Sequence, residues 1–361
     1  MVDRATREVY ERQAREWVDA RSARDLDHVA WVQRTRAPGP VGDIGCGPGW
    51  HLAGVGSPAV ALDVSSAMLA MVPANAVTAH RVQASADGLP FRRGSLGGAL
   101  ANRVYVHLSA TAVPMAMADL HRALAPDAPV FVRVIGEESG VEYRDAGRFA
   151  GRLFSGWAAG RFAAVCRGAG FAIERFDHHR STAGPTGLAV RLRRQLTLPD
   201  TIGPGMRLLI CGLNPSIYSA EVGVGFARPG NRFWPAALAA GLVSVDRDPR
   251  RALLVDGVGM TDLVKRPTRR ADELADDEYR GGLSRLEAVV DWLRPSAVCF
   301  VGLAGWRAAV DRRAVAGPQD RTVGGRPVYL MPSTSGLNAS SRPADLTAHL
   351  AAAATLADRA H

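Results

Sequence analysis

Near the start of the chain, apolar side chains recur three and four positions apart in VYERQAREWVDA and LDHVAWVQRT, the spacing of one helical face, so residues 1–37 read as helical. After Pro38 the rhythm changes. Short apolar runs in PVGDIGCGPG, PAVALDVSS and APVFVRVIG end in turn residues, with helix-spaced stretches such as SAMLAMV and AVPMAMADLHRAL between them. Strands alternating with helices predict a parallel sheet covered on both faces. A second series of the same kind follows RLRRQLTLPDTIGPG. There MRLLICG, AVCFVG and RPVYLMP are strand-like, while NRFWPAALAAGL, GGLSRLEAVVDWL and PADLTAHLAAAATLAD are helix-like. Residues 197–205 hold two prolines, two glycines and no helical period, the pattern of a linker. The chain therefore divides into two α/β domains, residues 1–196 and 206–361, joined by 197–205.

Composition narrows the class. A chain of 361 residues exceeds one ordinary core and suits two. Hydrophobic content of 47% with 22% charged residues is that of a soluble globular protein. No apolar run approaches the roughly 20 residues needed to cross a bilayer. The charged N-terminus lacks a secretory signal, so a cytoplasmic location is expected, nucleoid-associated in a bacterium, with no membrane partner. Cys46, Cys166, Cys211 and Cys299 lie far apart and form no CxxC pair, which argues against a zinc ribbon or a metal cluster; no metal is expected. The net charge of +9 is almost all arginine, Lys265 being the only lysine, and it is shared by both halves. A basic balance favours contact with phosphates. Arginine-rich coding would give the same excess, so charge alone decides little. A monomer is the expectation.

In the first half, Asp43-Ile44-Gly45-Cys46-Gly47-Pro48-Gly49 follows an apolar strand start and precedes a short helix. Glycines at such a turn let the backbone approach a ligand closely. Asp63 ends the next strand, where a carboxylate can accept hydrogen bonds from ribose hydroxyls. With ALDVSSAML, the LPF at 89–91, the strand ANRVYVHL, LHRALAPDAPVFVRV and RGAGFAIERF, this half resembles the class I S-adenosylmethionine-dependent methyltransferases over residues 8–195. The resemblance implies a Rossmann-like fold and S-adenosyl-L-methionine as cofactor. Gly45, Gly47 and Gly49 would line its methionine part and Asp63 its ribose, with Asp43 also among the cofactor-binding residues. Where the family has an acid before LPF for the adenine amino group, this chain offers Ser85 or, two positions on, Asp87. The aromatic-acidic pair that usually opens the next strand is replaced by SLGGAL. No residue identifies the methyl acceptor.

In the second half, MRLLICG runs into Leu213-Asn214-Pro215-Ser216 and then YSAEVGVGFARPGNRFW. A polar side chain at the end of a buried strand, fixed by a following proline, is a hydrogen-bonding group held in a cleft. Gly223 and Gly225 keep the next loop slender, so a flat ligand can lie on Phe226. Far downstream, Ser333-Thr334-Ser335-Gly336-Leu337-Asn338 is a small polar loop with one leucine. Asn-Pro alone is a common turn pair, Phe226 alone a core residue and Leu337 alone a surface leucine. His349 and the His178–His179 pair lack partners at ligand spacing. Lys265, Arg266, Arg269 and Arg270 suit either a phosphate-contacting loop or a solvated face.

Taken in order, GLNPS, FARPGNRFW, GVGMTDLVKRPT and MPSTSGLNAS resemble the mismatch-specific uracil/thymine-DNA glycosylases over about residues 206–355. The resemblance implies a uracil-DNA glycosylase fold, a parallel sheet flanked by helices, that flips a base out of duplex DNA and hydrolyses its N-glycosidic bond without metal or cofactor. Asn214 would position the water. Leu213 and Phe226 would supply backbone N–H groups to the departing base. Phe226 would stack on that base, with Ser219 and Ser333 lining the pocket. Leu337 would wedge the duplex, with Gly336 and Asn338 meeting the widowed partner. The branch with strong water activation carries aspartate in place of Asn214 and a downstream histidine, and the iron-sulfur branches carry four clustered cysteines; neither pattern is present. Ser333, where bacterial members often have asparagine, leaves uracil, thymine and modified pyrimidines open as targets.

The expected partner is double-stranded DNA with G·U or G·T mispairs. The competing reading is a methyltransferase of unknown acceptor whose second domain only binds nucleic acid.

Overall fold

The computed structural model describes residues 2–22, 25–72, 79–137, 140–179 and 186–360. Contacts divide the chain into two compact units: residues 1–167 with 171–195, and residues 168–170 with 196–361.

The first unit opens with helices α1 (Arg4–Arg12), α2 (Ala14–Asp19) and α3 (Leu26–Thr35). Asp3 caps α1 by accepting from the Thr6 N–H at 2.9 Å, so one orphan donor of the first turn is satisfied. Alternation follows: β1 (Val41–Ile44), α4 (Leu52–Val55), β2 (Ala59–Asp63), α5 (Ser66–Ala70), β3 (Ala79–Gln83), β4 (Gly98–Asn102), α6 (Val113–Ala123) and β5 (Pro129–Gly136). Then come β6 (Glu142–Arg144), β7 (Leu153–Trp157), α7 (Ala159–Gly168), β8 (Phe171–His179) and β9 (Thr186–Arg194). Strands β3, β2, β1, β4 and β5 lie side by side in that order and run parallel. The order reverses between β1 and β4, which opens a crevice at their C-terminal ends. β9 pairs antiparallel with β5, and β8 with β9. On one face Val32, Val41, Leu52, Val55, Leu100 and Phe131 pack into a common core.

The second unit is smaller and more regular. Its elements are β10 (Leu208–Gly212), α8 (Ile217–Val222), α9 (Phe233–Ala239), α10 (Pro249–Leu254), β11 (Val258–Asp262), α11 (Asp276–Leu293), β12 (Ala297–Val301), α12 (Ala304–Ala309), β13 (Gly317–Val323), β14 (Arg326–Met331) and α13 (Pro343–Arg359). The sheet order is β11-β10-β12-β14-β13, parallel except for the edge strand β13. The central strands are buried throughout, as continuous apolar runs such as LLICG and AVCFV demand of a sheet covered on both faces. Ile210, Phe233, Trp234, Met260, Cys299, Met331, Leu346 and Leu350 form the core on one face. Ser216 caps α8 by accepting from Ser219 N–H at 3.1 Å, and Asp345 returns a carboxylate to the Arg342 N–H at 2.8 Å before α13.

Two expectations fail locally. ANRVYVHL reads as a strand, yet the strand is Gly98–Asn102 and Tyr105–His107 is a turn of 3-10 helix. Arg103, at φ +59°, breaks the chain's extension between them. Both segments are buried, so the apolar pattern cannot separate strand from turn. The stretch 197–205, read as a linker, is packed into the second unit: Leu198 and Ile202 are buried, and Thr201 pairs antiparallel with Met260. Its anchor is Asp200, 2% exposed, which accepts from Thr261 Oγ1 at 2.6 Å, Lys265 Nζ at 2.8 Å and Arg285 Nη1 at 2.7 Å.

Although burial alone would raise the Asp200 pKa, the Arg285 and Lys265 charges outweigh it and hold the carboxyl below its ordinary value. Its stabilisation is therefore present above the unfolded carboxylate pKa and fades as pH falls through the lowered folded value. Asp200→Asn is expected to destabilise the second unit by about 3 kcal/mol at pH 7, since it strands two buried cations. Urea melts should show the difference shrinking at strongly acidic pH.

Candidate functional site

At the tip of β10 the chain enters Leu213 and Asn214. The Asn214 side-chain amide donates to the Thr268 hydroxyl at 2.8 Å, to the Arg266 carbonyl at 3.0 Å and to the Pro215 carbonyl at 3.2 Å. A carbonyl can only accept, so these contacts fix which end of the amide is the NH2. Oδ1 is then the fixed acceptor, and it takes no protein donor among the described residues. The 264–268 segment that holds Asn214 follows β11, and just past that strand the Leu263 and Val264 N–H groups donate to the carbonyls of Gly212 and Leu213. Thus GLNPS and TDLVKRPT, far apart in sequence, are one structural piece.

Phe226 sits beside that tip with φ +57°, a conformation rare for a bulky residue. Its ring stacks on Phe233 at 4.2 Å with 21° between planes, and Trp234 Nε1 donates to the preceding Gly225 carbonyl at 2.8 Å. The strained backbone is thereby held by the first turn of α9. A Cβ on Gly212 would collide with Asp262 Oδ1 and lie 3.3 Å from Phe226 Cζ, so the carboxyl and the ring flank the same bare Cα.

Asp262 carries no obvious sequence signal. It is 8% exposed, and no side chain or backbone N–H bonds its carboxyl among the described residues. Burial pushes its pKa up to about 6 against the opposing pull of Lys265. Periodicity marks Asp262 as a strand end; only the register Gly212↔Asp262 brings it beside Phe226.

Of the remaining expected residues, Ser219 is buried, and its hydroxyl accepts from Ser216 Oγ at 3.0 Å in the α8 cap. Ser333 is exposed at the start of the downstream loop, and its carbonyl accepts from Asn338 Nδ2 at 2.8 Å. Leu337 is 83% exposed and lies next to Gly336. Asn338 has no spare side-chain groups: its amide bonds Ser333 and Ser341, and its Oδ1 accepts from Ser340 N–H and Oγ. Arg232, also missed in the sequence, donates to three carbonyls of this loop.

In the first unit a cavity of about 230 Å³ lies at the C-terminal ends of β1 and β4, lined in part by Gly45, Gly47, Asp63, Trp17 and Trp50. Gly47, at φ +52°, faces it across from Trp17. Gly45 is required for another reason, since a Cβ there would strike Val104. Gly49 packs on Leu52 and Val72, and Asp43 is buried beneath the loop, its Oδ2 without a hydrogen bond but 3.8 Å from His51 Nδ1; neither Gly49 nor Asp43 lines the cavity. Asp63 Oδ2 accepts from Gly47 N–H and Oδ1 from Ser65 N–H, each at 2.9 Å, so the carboxylate braces the loop. Asp87 bonds Ser85 and stands off the lining, which is supplied there by Ala84 and Ala86. The glycine loop and Asp63 fit a nucleoside cofactor; the expected acid at its adenine end is not in the wall.

The four cysteines are free and buried, no group of three or more potential metal ligands occurs among the described residues, and no described helix is long and apolar enough to cross a membrane.

Residues 199–354 match the family model of the uracil DNA glycosylase superfamily, and residues 41–127 match a methyltransferase domain model. Among solved structures, the chain is similar to the 1,6-didemethyltoxoflavin-N1-methyltransferase of Burkholderia thailandensis, solved with S-adenosylhomocysteine, at 20% identity over 52% of this chain and 84% of that one, TM-score 0.42. It is similar to an S-adenosylmethionine-dependent methyltransferase of Methanosarcina mazei at 15% identity over 48% of this chain and 99% of that one, TM-score 0.41. A third, from Mesorhizobium loti, shares 20% identity over 47% of this chain and 100% of that one, TM-score 0.38.

The raised Asp262 pKa has a stability consequence. Below about pH 3 the carboxyl is neutral folded and unfolded; above about 6 the folded state holds an ionised group with no hydrogen-bond donor among the described residues. Asp262→Asn should therefore stabilise the second unit by about 1–3 kcal/mol at pH 8 and by nothing measurable at about pH 3. Melting curves at both pH values check it; an equal gain at both would contradict the assigned shift.

Proposed function

We propose, for a chain that carries a uracil DNA glycosylase superfamily domain and a methyltransferase domain, that the second unit removes uracil mispaired with guanine from duplex DNA. The observation that carries the reading is the Asn214 amide, its donors spent on Thr268 and Arg266 and its oxygen left to orient a water beside the Phe226 platform. A flipped base can stack on Phe226, a contact worth about 1–3 kcal/mol. An amide oxygen is too weak a base to deprotonate water. It acts by orientation, and cleavage of the sugar–base bond must run ahead of attack. The base leaves with the bonding electrons as an anion stabilised by backbone donors around Leu213 and Phe226; water then adds to the sugar carbon and loses a proton to solvent, and the base anion takes up a proton from solvent. The products are free uracil and an abasic sugar.

Leu337 is the side chain suited to fill the gap left in the stack. Thymine and modified pyrimidines, a duplex DNA partner, a monomeric state and a cytoplasmic location belong to the same reading. For the first unit we propose S-adenosylmethionine binding in the cavity bounded by Gly45, Gly47 and Asp63. The cofactor would supply the methyl group. The chain's own contribution is Gly47, which keeps the wall thin, and Asp63, whose carboxylate can accept a ribose hydroxyl beside the N–H donors it already holds.

Excision from a labelled G·U duplex, read by alkali cleavage, should occur without added metal and fall about 100-fold in Asn214→Ala. Unchanged excision by that variant would remove Asn214 from the site. Loss of excision in the wild type, with DNA binding retained, would leave a binding module beside a methyltransferase. Separately, S-adenosylhomocysteine at a hundredfold excess over its Kd should raise the melting temperature of the first unit by roughly 5–10 °C, and Gly47→Val should abolish the rise.

A further inference from the structure

The first turn of α9 supports Phe226 through Phe233, and the residue immediately before Phe233 reaches the other way. Arg232 Nη1 donates to the Ser341 carbonyl at 2.6 Å, and Nη2 to the carbonyls of Ser335 and Asn338 at 2.9 and 2.7 Å. Its backbone N–H donates to the Thr334 carbonyl at 2.9 Å. Gly230 and Gly336 meet so closely that a Cβ on Gly336 would lie 2.8 Å from the Gly230 carbonyl. The loop presenting Leu337 is thus tied at four carbonyls to one residue. No carboxylate is paired with Arg232 in these contacts, and its Nε is buried without a partner. An arginine serving a phosphate would offer its fork to solvent. This one has spent its fork on carbonyls.

We propose that Arg232 is a positioning residue that fixes the 335–341 loop in register with the Phe226 platform, so that Leu337 enters the duplex where the base has left for that platform. Adjacent residues set both positions: Arg232 holds the wedge and Phe233 holds the ring. The proposal rests on the glycosylase reading. Lysine retains the charge but has no planar fork able to reach three carbonyls at once, so Arg232→Lys separates geometry from charge. It also guards against a misfolded alanine variant.

The experiment is a double-mutant cycle on full-length protein, with hydrogen exchange of the free protein alongside it. Arg232→Lys and Leu337→Ala should each cut excision from a G·U duplex about 100-fold, and the double variant should be no slower than Leu337→Ala alone. A structural or chemical role would slow excision by the same factor with or without Leu337, and that additivity would overturn the proposal. So would wild-type excision by Arg232→Lys. In the free protein, amides of 335–341 should exchange at least tenfold faster in Arg232→Lys than in wild type; unchanged exchange would show that Arg232 does not hold the loop. If wild-type protein excises nothing, the glycosylase reading fails with its wedge, while the exchange result still decides whether the clamp exists.

Discussion

The second unit is organised about a close approach at the tip of β10. Gly212 has no side chain, and the Asp262 carboxyl and the Phe226 ring occupy the space a Cβ would need. With β10 and β11 in register there, the following residues of each strand are bound together: Leu263 and Val264 bond the carbonyls of Gly212 and Leu213. That pairing carries the 264–268 segment to Asn214 and fixes its amide. Any larger residue at 212 would push Phe226 off its support or Asp262 out of its niche, and the tip would lose its shape.

The platform and the loop share one source of rigidity. Phe226 is held at positive φ by contacts from Phe233 and by the Trp234 bond to Gly225. Strain of about 1–3 kcal/mol persists at such a residue only when its surroundings over-determine it. Asn338 stiffens the loop from within and Arg232 from beneath, so the exposed Leu337 is carried on a braced support. The Asp262 carboxyl is a second destabilising feature of this tip, a buried acid with no hydrogen-bond donor among the described residues.

In the first unit the glycine loop shows how little a motif says about the job of each residue in it. Gly45, Gly47 and Gly49 all have positive φ, but Gly45 makes room for Val104 at the cavity wall, Gly49 packs on Leu52 away from the cavity, and Gly47 faces Trp17 across it. Asp63 serves the loop before any ligand, bonding Gly47 and Ser65. Trp17, from a helix remote in sequence, stacks on Trp50 at 5.1 Å in the cavity wall, a contact that no local pattern announces.

Local sequence determined the repeating strands and helices, the buried runs LLICG and AVCFV, and the order of the motifs GLNPS, FARPGNRFW and MPSTSGLNAS, because periodicity and turn chemistry are properties of neighbouring residues. It placed Asn214, Phe226 and Leu337 as candidates. Tertiary structure alone decided that 197–205 is packed, that the Asp262 carboxyl lies beside Phe226, and that Arg232 is tied to the 334–341 loop. Those outcomes depend on strand register and on hydrogen bonds between segments about 50 to 110 residues apart. A one-dimensional pattern records which residues can pair, but partners across that distance are chosen only when the sheet closes.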